Sequence, residues 1–555
     1  MPARIPLARH ATVVSVLREA AQVNGAVEAY VEPAGTEGRA RRALTFHEWD
    51  RAADGVAGYL SARGVEKGDV VCLMLPSSID YAVCYAASLR LGAITSGINP
   101  RMGVAEVASI LERAAPVLVV ADPEVTEPSP LGHLPVVGRD EIAAAASGEP
   151  PSTSPVLTSG DPVAVVWTSG TTGTPKGAVF DHANLAAVAR GTDVLSRPGD
   201  RRLSPLPFAH VGYMTRVWDE IAHGVTTIIT PTPWRADEAV RIMAEESVTV
   251  AQGVPTQWAL MLASDELRRA DLAALRVAGT GAARMPAVMV ADIRRRLGVP
   301  VVVRYTSTES SLGTGTALTS SDEEVATTVG RPVSGVELAI VDDEGAAVAP
   351  GSVGRVLLRS AAVMRGYWGQ GPGRGRRTVE LLDTEATAHV LAADGWLKTG
   401  DFGRLTPEGN LQLSGRAHER YIRGGYNVYP AEVEDALASH PSVDRVAVTG
   451  VPDDVLGEVG VAVVVPRGDP PDLDALRAHV AAILADYKAP DALVLVTELP
   501  LTPMMKVDPA RLADMAAVAA SARAAHLSGH HGAGEGVLGS GPIGTADEAD
   551  NKERA

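Results

Sequence analysis

From Phe46 onward the sequence alternates two patterns. Stretches with helical apolar spacing, such as "FHEWDRAADGVAGYLSARG" and "SIDYAVCYAASLRLG", are separated by short apolar runs such as "DVVCLML" and "APVLVVAD". That alternation predicts α/β layers, with helices covering the faces of sheets. It continues past Ile228, Val250 and Val303. Between "GVELAIVD" and "LQLSG" the long helical stretches drop out, which predicts a small β subdomain ending near Arg416. Beyond it, "YPAEVEDALASHPSVDRVAVTGV", with Pro430 at a helix start, is followed by "GVAVVVP", "DLDALRAHVAAILAD" and "ALVLVTELP". These alternating elements predict a compact second α+β domain. We therefore expect a large N-terminal domain over residues 1–416, a smaller C-terminal domain over 417–525 and a disordered Gly-rich tail over 526–555. In that tail His526, His530 and His531 could bind a metal only on a fixed scaffold, which its composition does not supply.

Composition narrows the function. A chain of 555 residues with 46% hydrophobic content can build several cores. Its formal net charge of −17 argues against non-specific binding to nucleic acid or an anionic membrane. The two cysteines, Cys72 and Cys84, sit in apolar surroundings and support neither a disulfide framework nor a thiolate metal site. No apolar run is long enough to cross a membrane, and the N-terminus lacks the apolar core of an export signal. A cytoplasmic protein that holds any phosphate locally is expected.

The segment "TSGTTGTPKG", Thr168 to Gly177, follows the apolar run "PVAVVW" and precedes another beginning at Ala178. It reads as a loop between two strands. Its glycines permit close backbone approach, and its hydroxyls, N–H groups and Lys176 are all hydrogen-bond donors, the chemistry of a phosphate cradle. A solvated linker has a similar composition. A kinase-type P-loop does not fit, because Lys176 follows Pro175 and precedes Gly177.

Further chemistry-bearing residues recur downstream. "YTSTES" places Tyr305, Thr308 and Glu309 just after the strand-like "VPVVVRY", at a strand end where α/β sheets bind ligands. "WLKTGD" presents Asp401, "SGRAHERYIRGGYNVYPAEVE" presents Arg416 at the domain boundary, and "LPLTPMMKVDPARL" presents Lys506. Singly, each has a structural explanation as a turn residue, ion-pair member or solvated lysine. In this order and spacing they resemble the adenylate-forming enzyme superfamily, which contains acyl-CoA synthetases, luciferases and peptide-synthetase adenylation domains. The resemblance spans about Phe46 to Leu512.

The resemblance implies a two-step ligase. A carboxylate attacks the α-phosphorus of ATP to give acyl-AMP and pyrophosphate, and a thiol such as that of CoA then displaces AMP. It implies that Thr168, Ser169, Gly170, Thr171, Thr172 and Lys176 hold the β- and γ-phosphates. Glu309 would bind Mg²⁺, a hard cation suited to carboxylate oxygen, and Thr308 would contact the α-phosphate. Gly281, Ala282, Ala283 and Tyr305 would line the adenine pocket, and Asp401 and Arg416 would hold the ribose. Lys506 would bridge the attacking carboxylate and the α-phosphate in the first step only. A hinge at His418 would then bring the loop of Gly424 and Gly425 to the site for thiolation.

The chain departs from the family pattern in places. His418 and Glu419 stand where Asp or Lys followed by Asp is usual, Met505 stands where a glycine precedes the lysine, and Thr306 stands where a glycine follows the aromatic residue. His210 matches the position that gates the acyl pocket, whose walls Gly253, Gly279 and Thr280 would help to build. Small residues there leave volume for a wide apolar acid, or alternatively pack against the sheet. The expected substrate is therefore a bulky or medium-to-long carboxylic acid. Two alternatives remain: adenylation alone, with acyl-AMP passed to an acyl carrier protein or separate thiolating enzyme, and a non-catalytic nucleotide-binding protein of the same fold.

Overall fold

The computed structural model describes residues 2–529 apart from 36–39, 123–131, 169–174, 193, 205, 282–284, 370–377, 417–419, 424–425, 454–455 and 503–504, with backbone alone at 416, 427 and 520–529. The chain divides into two compact units. One comprises Met1–Arg420 with Leu501–Asp508, and the other Tyr421–Pro500 with the chain from Pro509 on.

Among the described residues, the larger unit holds three sheets. The first has eight strands in the order Val136–Val137, Leu118–Ala121, Val70–Met74, Ile94–Gly97, Pro162–Thr168, Lys176–Asp181, Gly366–Trp368 and Leu382–Asp383. Its first five strands are parallel and the last three join antiparallel. The second has nine strands, with a parallel core running through Thr226–Ile229, Arg201–Ser204, Val250–Gln252, Val277–Gly281 and Val301–Tyr305.

Burial on both faces explains the unbroken apolar runs, as in Val70–Met74, where every residue is buried. The helix Ile79–Leu91 is buried all round and touches strands of both sheets. Ser78 caps its start by accepting the Tyr81 N–H at 3.2 Å, and Gly92, with φ of 65°, ends it in the left-handed region.

The third sheet is antiparallel and four-stranded, in the order Val336–Val341, Gly354–Ser360, Leu397–Leu405 and Leu411–Arg416. It is the small β subdomain the sequence pattern predicts.

In the smaller unit Val443–Asp453 and Gly457–Pro466 form a long hairpin, and the second of these strands also pairs with Tyr421–Arg423 at Gly457 and with Ala492–Leu495 over Val461–Val464. Helices Pro430–Ala438 and Leu473–Ile483 bury Val433, Leu437, Leu476 and Val480 in its core. Its last helix, Pro509–Gly529, runs past the change in composition at His526. Among the described residues no helix is long and apolar enough to cross a membrane.

Candidate nucleotide and acyl-activation site

The strands that flank the Thr168–Gly177 segment, Pro162–Thr168 and Lys176–Asp181, pair antiparallel. Thr168 lies opposite Lys176, and the Thr168 hydroxyl donates to the Lys176 carbonyl at 3.3 Å. Gly177 is required by packing, since a Cβ there would lie 2.5 Å from Val165 Cγ1 and 3.2 Å from the Trp167 ring. Ser169, Gly170, Thr171 and Thr172 lie outside the described residues, as do Ala282, Ala283, His418, Gly424 and Gly425.

Glu309 and Lys176 meet through a residue the sequence reading did not single out. The Tyr367 hydroxyl donates to Glu309 Oε1 at 2.8 Å, and Lys176 Nζ lies 5.4 Å from the centre of the Tyr367 ring. Burial, with the Glu309 charge beside it, pushes the Tyr367 phenol well up, so it remains a donor. The geometry is held from several directions. Gly366–Trp368 pairs with Lys176–Asp181, placing Tyr367 opposite Ala178. The Met364 N–H donates to the Glu309 carbonyl at 2.8 Å, and Arg365 binds the Asp181 carboxylate. Asn184, locked to Asp181 by reciprocal bonds at the start of helix His182–Arg190, donates to the carbonyls of Ala361 and Val363.

After strand Val301–Tyr305 the chain turns sharply. Ser307 and Ser310 exchange hydrogen bonds from each backbone N–H to the other hydroxyl, at 2.9 and 3.1 Å. Thr308 is half-buried in this turn and Glu309 follows it. The Tyr305 hydroxyl donates to Asp401 Oδ2, tying the second sheet to the third. Asp401 is buried and lies opposite Arg416 in the pairing of Leu397–Leu405 with Leu411–Arg416. Gly281 ends the strand beside Tyr305's own, in register with Arg304.

His210 starts the short helix Val211–Met214 and accepts the Gly212 N–H on Nδ1 at 3.1 Å. Burial, reinforced by the positive charge of Lys506, pushes its pKa down to about 4, which keeps the ring neutral at physiological pH. The turn carrying it is fixed by aromatic residues on either side. Phe208 and Tyr213 stack face to face at 3.7 Å, Tyr213 shares a hydroxyl hydrogen bond of 3.0 Å with Tyr30, and Tyr85 donates to the Met214 carbonyl at 2.8 Å.

Lys506 belongs to the larger unit, within Leu501–Asp508. Leu501 and Val507 form an antiparallel bridge, and the Thr502 N–H donates to the Lys506 carbonyl at 2.7 Å. Met505, at the position where the resemblance implies glycine, has φ of 61°. That left-handed conformation is where glycine is favoured.

The small residues of the expected acyl wall, and Gly281 of the expected adenine pocket beside them, have partners of their own. A Cβ on Gly281 would sit 2.7 Å from the Arg304 carbonyl oxygen, whereas on Gly279 the nearest atom is the Gln252 Cγ, at 3.1 Å. The Gly279 carbonyl accepts the Gly253 N–H and the Trp258 indole N–H. Alternation along Val277–Gly281 puts Thr280 on the face opposite Gly279 and Gly281. Its hydroxyl is buried without a partner among the described residues.

Sequence comparison adds independent findings. Residues 17–368 match the family described as AMP-binding enzyme, and residues 432–506 match the AMP-binding enzyme C-terminal domain. A long-chain-fatty-acid–CoA ligase of Mycobacterium tuberculosis is 32% identical, over 89% of this chain and 96% of its own. An indoleacetate–CoA ligase of Aromatoleum aromaticum is also 32% identical, over 84% of this chain and 92% of its own. Among solved structures, an anthranilate CoA ligase in complex with anthranoyl-AMP superimposes with a TM-score of 0.80 at 26% identity, covering 93% of this chain and 99% of that one. With a family match across most of the larger unit and full-length relatives on either side of a shared fold, the chain belongs to the AMP-binding enzyme family.

Proposed function

We propose that the protein is an AMP-forming acyl-CoA ligase of a bulky or medium-to-long, mostly apolar carboxylic acid. A carboxylate oxygen of the acid attacks the α-phosphorus of ATP and pyrophosphate leaves; the thiol of CoA then attacks the acyl carbon and AMP leaves. The observation that carries this reading is the linkage of Lys176 to Glu309 through Tyr367 and of Asp401 to Tyr305 in the same unit as His210 and Lys506, whose charge is felt at the His210 ring.

Each group suits one task. Lys176 and the loop before it neutralise the outer phosphates, while Asp401 accepts the ribose hydroxyls. Lys506 places a positive charge where negative charge builds between carboxylate and α-phosphate, and Thr308 donates to the same phosphate. Neutral His210, with Nδ1 occupied by a backbone N–H, carries its proton on Nε2 and forms an uncharged wall for the acid. Glu309 fits Mg²⁺: it is a carboxylate with one oxygen taken by Tyr367, and among the described residues no cage of three or more His, Cys, Asp or Glu competes. The ion, held by Glu309 together with nucleotide phosphate, would supply charge neutralisation at the leaving pyrophosphate. Its two cysteines are buried and unpaired, in keeping with a reducing cytoplasm.

The similar proteins named for fatty acid, indoleacetate and anthranilate all carry acids with a sizeable apolar body, which supports the substrate class proposed here. Acid-dependent exchange of pyrophosphate into ATP, run over a panel of acids with and without CoA, tests the whole reading. Exchange should be strongest with aromatic or medium-to-long acids, with acyl-CoA formed when CoA is added. Preference for acetate would refute the substrate class. Exchange without acyl-CoA would move the acceptor to a carrier protein or a separate enzyme.

A further inference from the structure

Lys176 and Glu309 carry opposite charges and serve the same polyphosphate, yet among the described residues they form no ion pair. A direct pair would be a trap, since each group would neutralise the other before nucleotide arrived. What lies between them is Tyr367, 5% exposed and reached from a strand nearly two hundred positions from Lys176. Its hydroxyl occupies Glu309 Oε1, and its ring faces the Lys176 ammonium. The tyrosine is itself immobilised. Its N–H donates to Thr387 Oγ1 at 2.9 Å, and the glycine before it, Gly366, leaves space where a Cβ would stand 2.7 Å from that same oxygen.

We infer that Tyr367 is a positioning residue of the phosphate and metal site: its hydroxyl orients the Glu309 carboxylate so that the other oxygen faces the metal, and its ring keeps Lys176 from pairing with Glu309. This rests on the reading of Glu309 as the metal-bearing carboxylate.

The two parts of the side chain are separable. Tyr367→Phe keeps the ring and removes the hydroxyl, while Tyr367→Leu removes both. The readout is ATP binding by calorimetry at graded Mg²⁺ in the absence of acid, so that no turnover intervenes. Tyr367→Phe should raise the Mg²⁺ concentration for half-maximal enhancement of binding by about tenfold, in line with loss of a hydrogen bond to a charged group. Its ATP affinity in EDTA should stay as in the wild type. Tyr367→Leu should in addition lose affinity in EDTA, because Lys176 is then free to close on Glu309.

Glu309→Gln separates the possible failures. If it leaves the Mg²⁺ dependence unchanged, the reading of Glu309 itself fails. If it abolishes that dependence while Tyr367→Phe behaves as wild type, only the role of Tyr367 is overturned. The double variant should be no worse than Glu309→Gln alone, because the tyrosine acts through the carboxylate. Additive losses would also overturn the proposal, and would leave Tyr367 as a packing residue whose removal merely lowers the melting temperature.

Discussion

Lowering the pH from 7 to 5 should destabilise the larger unit through two histidines. His182, almost wholly buried, accepts the Val13 N–H on Nδ1 at 3.3 Å, just as His210 accepts the Gly212 N–H at 3.1 Å. Burial brings both down to about 4; at His182 it outweighs the opposing pull of Asp161, whose ion-pair partner Lys67 lowers the ring slightly, and at His210 the Lys506 charge adds to it. In the unfolded chain both rings return to about 6.5. As pH falls, the unfolded state therefore takes up protons first. Stability is intact above about 6.5, declines between about 6.5 and 4, and levels off once the folded rings protonate. Integrated from pH 7 to 5, the linkage amounts to about 2 kcal/mol per histidine.

The measurement has a convenient probe. All seven tryptophans lie between Trp49 and Trp396, so their fluorescence during urea unfolding follows the larger unit alone. Buried Glu220, raised by desolvation, contributes with the opposite sign, so the comparison is between variants and wild type. His182→Gln and His210→Gln should each reduce the pH-dependent loss by about 2 kcal/mol. Identical pH dependence in wild type and variants would refute the argument that these rings are held neutral.

Lys506→Ala should slow acyl-AMP formation by about 10²- to 10³-fold while sparing thioester formation from supplied acyl-AMP, and equal loss in both half-reactions would sink the assignment. Tyr305→Phe leaves the ring and removes the hydrogen bond that orients Asp401, so the dissociation constant for AMP should rise by about tenfold; unchanged AMP binding would remove Asp401 from the ribose site. Met505→Gly should relieve a left-handed conformation that costs about 1–2 kcal/mol, partly offset by greater unfolded-state freedom, for a net gain of up to about 1 kcal/mol in thermal or urea unfolding. A clear loss instead would mean that packing of the methionine side chain dominates.

The layers, the small β subdomain and the two strands flanking Thr168–Gly177 were legible because each rests on local periodicity. β-branched runs flank the glycine-rich turn, and a buried parallel strand such as Val70–Met74 writes itself as an unbroken apolar string. Tyr367 was not legible. Its role arises from pairing between Tyr367 and Ala178 and from a turn at Glu309, three places with no shared local signal. The small residues at the sheet edge left two readings open, and sequence alone has no means to choose between them: at Gly281 a side chain would meet the Arg304 carbonyl of the adjoining strand at 2.7 Å, a contact between residues distant in sequence. The end of the last helix was hidden by composition, since the polar residues from His526 read as tail while the backbone stays helical to Gly529.

The stacked rings around His210 bear on how this enzyme can discriminate between acids. A mobile wall yields gradually as a substrate widens, so selectivity falls off gently with size. A turn clamped by Phe208 against Tyr213, and tied through Tyr30 and Tyr85, has little compliance, and repulsion rises steeply once a substrate exceeds the space available. On the proposed reading, a homologous series of acids should meet an abrupt cutoff on the side facing His210. Moving that cutoff is then a matter of exchanging the imidazole for a smaller or larger group, while the scaffold behind it stays untouched.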